Sequence, residues 1–256
     1  MKGPDVELIN NPRGSYRFLT GIAPYSSGVV ASPGYEIVRA TPRGLLPYRL
    51  GFELIEQHLQ DVGRTRQALC AIELRSPVPF TFQGFAEFNE DYRRLLAEWD
   101  LLVEAHNPIA RTNVAPAIQP PEEPSLHAFS YTMPSETPEG GTTFVVAGAG
   151  ELREGRLTSK DIVRKNETSE EAMKQKAAHV MRTMSARLRG LGASWEEVTA
   201  VDVYTVHPLE PLLVRHLLGP SGPAARHGVT WHYSRPPIIG IDFEMDVRGI
   251  RREVVL

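Results

Sequence analysis

The sequence predicts an α+β protein made of two successive, similar units, each a mixed β-sheet covered by two helices. Three observations carry this. Two stretches with helical apolar spacing occur in each half of the 256-residue chain. Strand-like runs alternate with those helices in the same order, β-α-β-α-β-β, in both halves. A stretch rich in Pro, Gly, Ser and Thr, "MPSETPEGGTT" (133–143), separates the halves as a linker would. The expected domains are residues 1–134 and 135–256, with a further hairpin at the start of each.

In the first half "YEIVRA" (35–40) reads as a strand. "PYRLGFELIEQHLQDVG" follows with Leu50, Leu54, Ile55 and Leu59 at helical spacing and a stop at Gly63. "QALCAIELR" is a buried strand, so Cys70 is expected to be a small core residue rather than a nucleophile. "FAEFNEDYRRLLAEWDLLVEAH" is a second helix, ended by Pro108. "NPIARTNVAPAI" and "SLHAFSYTM" supply the last two strands.

The second half opens with the strand "TTFVVAGAGEL". Its first helix, "SEEAMKQKAAHVMRTMSARLRGLG", has Ser169 as N-cap, acids in the first turn and Gly192 at the stop. "VTAVDVYTV" alternates as a strand, and "PLEPLLVRHLLGP" is a short helix between prolines. "RHGVTWHYS" and "IIGIDFEMDVRG" close the unit as strands.

Composition removes several classes of function. A net charge of −3 with no Lys/Arg block gives a nucleic acid or an anionic membrane little to bind. A single cysteine excludes an internal disulfide framework and a Cys-based zinc site. No run approaches the ~20 apolar residues of a membrane span, and the first residues carry no apolar leader segment, so a cytoplasmic protein is expected. His227 and His232, five apart on one expected strand, point to opposite faces and cannot chelate one ion together, so no metal is expected. "GAGELREG" lacks the G-x-G-x-x-G spacing of a dinucleotide site, and no cofactor is expected.

Arginine recurs in one local setting. "NPIARTNV" and "GPAARHGV" each place a proline two or three residues before Ala-Arg, then a β-branched residue that opens a strand. Arg111 and Arg226 are therefore candidate anchors for a carboxylate, because a guanidinium binds that group bidentately and keeps its charge. In "IDFEMDV" the period of two puts Ile241, Phe243, Met245 and Val247 on one face and Asp242, Glu244 and Asp246 on the other. Three carboxylates on one face require solvent, a metal or arginine, with Arg226, Arg235 and Arg248 the nearest in sequence. Trp231 reads as core or as a cleft wall; Trp99 and Trp195 read as packing.

These elements in this order resemble the Rid (YjgF/YER057c/UK114) family of small trimeric imine and enamine deaminases, here as two units in tandem over almost the whole chain. The motifs are "GIAPYSSGVVA", "FAEFNEDY" and "ARTNV" in the first half, and "ARLRGLGASWEEV", "AARHGV" and "IDFEMDV" in the second. The resemblance implies a chorismate-mutase-like, Rid-like fold and a homo-oligomer with threefold symmetry. It implies a small carboxylate substrate, with Arg111 and Arg226 at the family's carboxylate-binding arginine and Glu244 at the glutamate that positions water. It also implies substrate contacts from Tyr25 and Asn89, and from Gly148, which the family places beside the ligand. His227 is a further candidate contact through its neighbour Arg226.

Neither half matches the whole pattern. Phe129 falls where the first half would carry the glutamate, and the second half offers no asparagine. A fused pair could share one site between its halves. The resulting expectation is hydrolytic deamination of a carboxylate-bearing enamine or imine, with an aminomuconate-type substrate of aromatic catabolism as the specific case. The alternatives are a chorismatase-like hydrolase on the same scaffold and a non-catalytic carboxylate-binding protein.

Overall fold

The computed structural model describes residues 7–136, 141–153 and 158–256, so part of the expected linker lies outside the described residues. The chain runs β1 (Leu8–Asn11), β2 (Tyr16–Leu19), β3 (Gly28–Ala31), β4 (Tyr35–Thr41), β5 (Leu46–Pro47), α1 (Tyr48–Asp61), β6 (Leu69–Arg75), α2 (Phe82–Glu98), β7 (Ala110–Pro116) and β8 (Ser125–Pro134). It continues β9 (Phe144–Gly150), α3 (Glu170–Leu191), β10 (Ala200–Tyr204), α4 (Glu210–Leu212), β11 (Thr230–His232), β12 (Ser234–Arg235), β13 (Glu244–Gly249) and β14 (Arg252–Val255). The class is mixed α+β, as the sequence predicts.

Two sheets result, ordered β1-β2-β3-β9-β13-β10-β11 and β12-β7-β6-β8-β4-β14. Within them the two halves share one strand order. The first half runs β7-β6-β8-β4 and the second β11-β10-β13-β9, with the leading pair parallel and the others antiparallel in both. The edge strands are exchanged, however. β1–β3 extend the sheet of the second half, and β14 pairs with β4 in the sheet of the first. The chain changes sheet at residue 134, but also after β3, β11, β12 and β13, so both sheets draw strands from both sides of that division.

α3 packs Met173, Ala177, Val180, Met184 and Leu188 onto Phe144, Val146, Val203, Met245 and Val247 of the first sheet. α1 and α2 pack Phe52, Ile55, Leu59, Tyr92 and Leu96 onto Ile72, Leu74 and Phe129 of the second. Between the sheets lie Tyr16, Phe18, Val29 and Ile37 with the small residues Cys70, Ala71, Ala110 and Ala147. The order is helix, sheet, sheet, helix. The alanines let the sheets approach closely, so the polar residues facing across that gap are desolvated.

Local signals were read well where caps are strong. The Ser169 hydroxyl accepts from the Ala172 N–H, and Gly192 ends α3 at φ 75°. Leu50, placed on the buried stripe of α1, is half exposed instead, because Tyr48, Gly51, Phe52, Ile55 and Leu59 form the buried face. α2 ends at Glu98, before the expected Pro108, where Trp99 caps the helix and Asp100 adopts φ 54°. The short second helix of the later half unwinds after α4 into a π-helical stretch, Leu213–Leu218.

Candidate active site between the two sheets

β13 bears out the alternation read in its sequence. Phe243, Met245 and Val247 enter the core under α3, while Glu244 and Asp246 point toward the second sheet. Both carboxyl groups are buried, Glu244 with 4% and Asp246 with 3% of its surface exposed. Burial therefore replaces the solvation that a bare sheet face would offer. Of the three arginines near in sequence, Arg248 is the one that pairs, with Asp202 and, at 3.5 Å, with Asp246. Asp242 precedes the strand and is held by Lys176 at 2.6 Å.

A second buried pair fixes the start of β13. Lys176 of α3 is fully buried, and its Nζ lies 2.9 Å from Glu151 Oε1. Glu151 in turn accepts the backbone N–H groups of Asp242 at 2.7 Å and Phe243 at 3.0 Å. The residue just before Glu244 is thus clamped by a side chain from the end of β9.

β9 passes closest to Glu244 at Gly148. A Cβ on that glycine would lie 2.3 Å from Glu244 Oε1 and 3.1 Å from the Thr112 side chain. The Gly148 N–H donates to Thr112 Oγ1 at 3.1 Å, and Thr112 donates to Asp246 Oδ2 at 2.7 Å. Glycine is required here by close approach.

Arg111 precedes Thr112 on β7, so its side chain turns the other way, toward α2. That helix starts from the Thr81 hydroxyl, which accepts the Gly84 N–H, and its buried face presents Phe85, Asn89 and Tyr92. Arg111 Nη2 donates to Asn89 Oδ1 at 2.6 Å. Four rings surround the guanidinium, with centroids 4.7 Å (Tyr92), 5.0 Å (Tyr25), 5.6 Å (Phe88) and 5.7 Å (Phe85) from its central carbon. Arg111 is 3% exposed, and its Nη1 has no hydrogen-bond partner among the described residues. Burial pulls the arginine below its ordinary proton affinity, and Tyr92, Tyr25 and Glu244 partly restore it. A buried guanidinium with an unfilled donor has the chemistry to bind an anion.

Burial pushes the Glu244 carboxyl well above the usual carboxylate range. Asp246 and Glu151 add to that rise, and Arg187 and Arg111 oppose it. Burial and the neighbouring carboxyls therefore favour the protonated form of Glu244. Burial also lifts Asp246, to about 7.

The structure thus brings Arg111, Asn89 and Tyr25 together on one side of β7 and Glu244, Gly148 and Thr112 together on the other, with the Arg111 charge acting on Glu244. It does not bring Arg226 there. The sequence suggested that Arg226 opens a strand; instead it lies exposed in a 3₁₀ turn, Gly222–His227, and its Nε donates to His227 Nε2 at 3.1 Å. Pro223 favours that turn, Gly228 at φ 73° ends it, and β11 begins only at Thr230. "RHGVTWHYS" is also not one strand: β11 joins the first sheet and β12 the second. His227 is exposed beside Arg226. Trp231 is 46% exposed and is neither core nor wall to this site. Trp99 is buried, and Trp195 is half-buried with its Nε1 on Ser185 Oγ at 3.0 Å. Cys70 is fully buried, as expected.

Sequence reading missed Arg187, whose Nη1 donates to Ala147 O at 3.0 Å and whose charge reaches Glu244. It also missed the ring cage and Thr112. Spacing could have found the cage: Phe85, Phe88 and Tyr92 share the α2 face of Asn89. Among the described residues no cluster of three or more His, Cys, Asp or Glu is placed to hold a metal, and no helix is long and apolar enough to cross a membrane.

Residues 8–254 match the family of the 2-aminomuconate deaminase CnbZ. The chain belongs to this family. The 2-amino-5-chloromuconate deaminase of Comamonas testosteroni is 40% identical over 249 residues, covering 95% of this chain and 96% of that protein. Two solved structures are more remote. A chorismatase is 12% identical with a TM-score of 0.43, covering 95% of this chain and 79% of its own. A putative endoribonuclease from Thermotoga maritima is 16% identical with a TM-score of 0.30, covering 43% and 80%. Membership of the CnbZ family spans both sheets, and so includes Arg111 as well as Glu244.

Proposed function

We propose that the protein hydrolyses the C–N bond of a 2-aminomuconate-type dicarboxylate and releases ammonia, using one site shared by the two halves of the chain. The observation that carries this is the buried, ring-caged Arg111, whose charge acts on the buried Glu244 carboxyl that burial pushes toward its protonated form. Family membership and the 40% identical relative support the substrate class. The common strand order of the halves supports reading the chain as two Rid-like units in tandem.

In this reading Arg111 takes the carboxylate next to the amino-bearing carbon, and Asn89 holds the guanidinium plane. Arg187, on the far element from Arg111, adds a second positive charge on the Glu244 side of the site. Glu244 first gives its proton to the enamine carbon, forming the C–H bond as the nitrogen lone pair makes the C=N⁺ bond. The Glu244 carboxylate takes a proton from water as the water oxygen bonds to the C=N⁺ carbon and the π pair returns to nitrogen. Glu244 then protonates the nitrogen, the C–N bond breaks, ammonia leaves, and the hydroxyl proton returns to Glu244 as the C=O bond forms. Acid–base help of this kind is worth about 10²–10⁴-fold.

The test is ammonia release from freshly generated 2-aminomuconate, followed with loss of the conjugated absorbance. The expected result is one ammonia and one 2-oxo acid per substrate, faster than without protein. A rate equal to the uncatalysed one would overturn the reading. The monocarboxylate 2-aminoacrylate, run beside it, is expected to be the poorer substrate because it lacks the second carboxylate of a 2-aminomuconate.

A further inference from the structure

Asp246 lies two residues beyond Glu244 on the same face of β13 and is equally buried. Its Oδ2 accepts from Thr112 Oγ1 at 2.7 Å and from the Tyr204 hydroxyl at 2.9 Å. Its Oδ1 stands 3.5 Å from Arg248 Nη1. One carboxyl group therefore ties β7, β10 and β13 together directly under Glu244. Through Thr112 it also holds the N–H of Gly148, the glycine against which Glu244 packs. Two hydroxyl donors and a guanidinium aimed at one carboxyl favour its ionised form.

We propose that Asp246 is a positioning residue that keeps Glu244 in its acid form, its carboxylate charge opposing ionisation of Glu244 while Thr112 and Tyr204 fix it in place. The proposal rests on the reading of Glu244 as the proton-bearing group of the deamination. Two carboxyl groups in one dry space do not both ionise readily; one takes the charge and the other keeps the proton. Asp246, with the donors, takes the charge. Glu244, for which Arg187 and Arg111 offset less than burial and the neighbouring carboxyls add, favours the protonated form.

The surroundings leave this pair as the active couple. Facing Asp246 are Arg248 on its own strand, Asp202 and Tyr204 on β10, Thr112 on β7 and Glu73 on β6, and Arg248, Thr112 and Glu73 line a small inter-sheet cavity with it. Behind them stand Arg75 on β6, Arg39 on β4, His127 on β8, His232 on β11 and Glu253 on β14. Asp202 is matched by Arg248 and by His232 at 3.4 Å, and Glu73 by Arg39 at 2.6 Å. Asp202 and Glu73 nonetheless still add to the rise at Asp246. Burial, reinforced by Asp202 and opposed by Arg248, sets Asp246 at about 7, so it ionises near neutral pH.

Asp246→Asn keeps the shape and an acceptor for Tyr204 but removes the charge. The expected result is that the alkaline limb of kcat/KM moves down by about one pH unit or more, with KM little changed. Thr112→Val, which weakens the ionised form of Asp246, moves the limb the same way by less. The infrared carbonyl band of a protonated carboxylic acid gives a second readout that needs no turnover. The band absent from Glu244→Gln is expected to disappear at lower pH in Asp246→Asn than in the wild type. A uniform loss of activity at every pH, with the Glu244 band titrating as in the wild type, would overturn the proposal. If the wild type releases no ammonia from 2-aminomuconate, the functional reading fails on its own, and the infrared titration still decides the role of Asp246.

Discussion

Arg111 donates to the side-chain oxygen of Asn89 across 2.6 Å, and among the described residues no carboxylate pairs with it. A buried cation left without a counter-ion costs stability, and a substrate carboxylate would supply what is missing. Arg111→Met is therefore expected to lower kcat/KM by about 100-fold or more, as the loss of a charge-assisted pair worth roughly 3 kcal/mol requires. The same variant is expected to melt no lower than the wild type. Steady-state kinetics beside thermal melting checks both halves; a lower Tm would show that the arginine serves the fold.

Gly148→Ala puts a methyl group 2.3 Å from Glu244 Oε1. The far end of a flexible side chain can move, so the fold is expected to survive with about 1–3 kcal/mol lost to overpacking. Catalysis should fall further, by about 100-fold, because an acid displaced by ~1 Å no longer meets its carbon. Kinetics against a denaturant melt separates the two effects.

Stability should depend on pH through Glu244. Its folded pKa is raised, so between its unfolded value and that raised value the folded state holds a proton that the unfolded state has lost. Folding is then disfavoured as pH rises, by at most about 1.4 kcal/mol per pH unit. Below its unfolded value both states are protonated and the cost is absent. Glu244→Gln removes the titration, so its Tm gain over the wild type is expected to be near zero at pH 4 and to grow toward pH 8. A gain that stays constant with pH would contradict the protonated assignment.

Lys176→Met strands Glu151 and Asp242, which the lysine holds at 2.9 and 2.6 Å. Breaking such a buried group from one side costs about 3–5 kcal/mol. A drop of that size in urea unfolding is expected, together with a fall in kcat, since Glu151 also clamps the backbone just before Glu244.

The parts of this site legible in the sequence are those with a local signature. Period two gave the face of Glu244 and Asp246, and Arg111, Asn89, Tyr25 and Gly148 stood out through their motifs. Arg226 shared the motif but not the conformation: Pro223 and Gly228 make a 3₁₀ turn from residues that read as a strand entry. Arg187 was hidden because a lone arginine on a helix beside Arg182 and Arg189 looks like a solvated face. The exchange of edge strands was equally invisible, since hydrophobic pattern says which face of β1–β3 is buried but not which sheet they join.

The most direct measurement compares ammonia release from 2-aminomuconate by the wild type, Arg111→Met, Glu244→Gln and Arg226→Ala. Expected is acceleration by the wild type, loss in Arg111→Met and Glu244→Gln, and near-full activity in Arg226→Ala, whose side chain lies in an exposed turn. An inactive Arg226→Ala alongside an active Arg111→Met would contradict a site shared between β7 and β13.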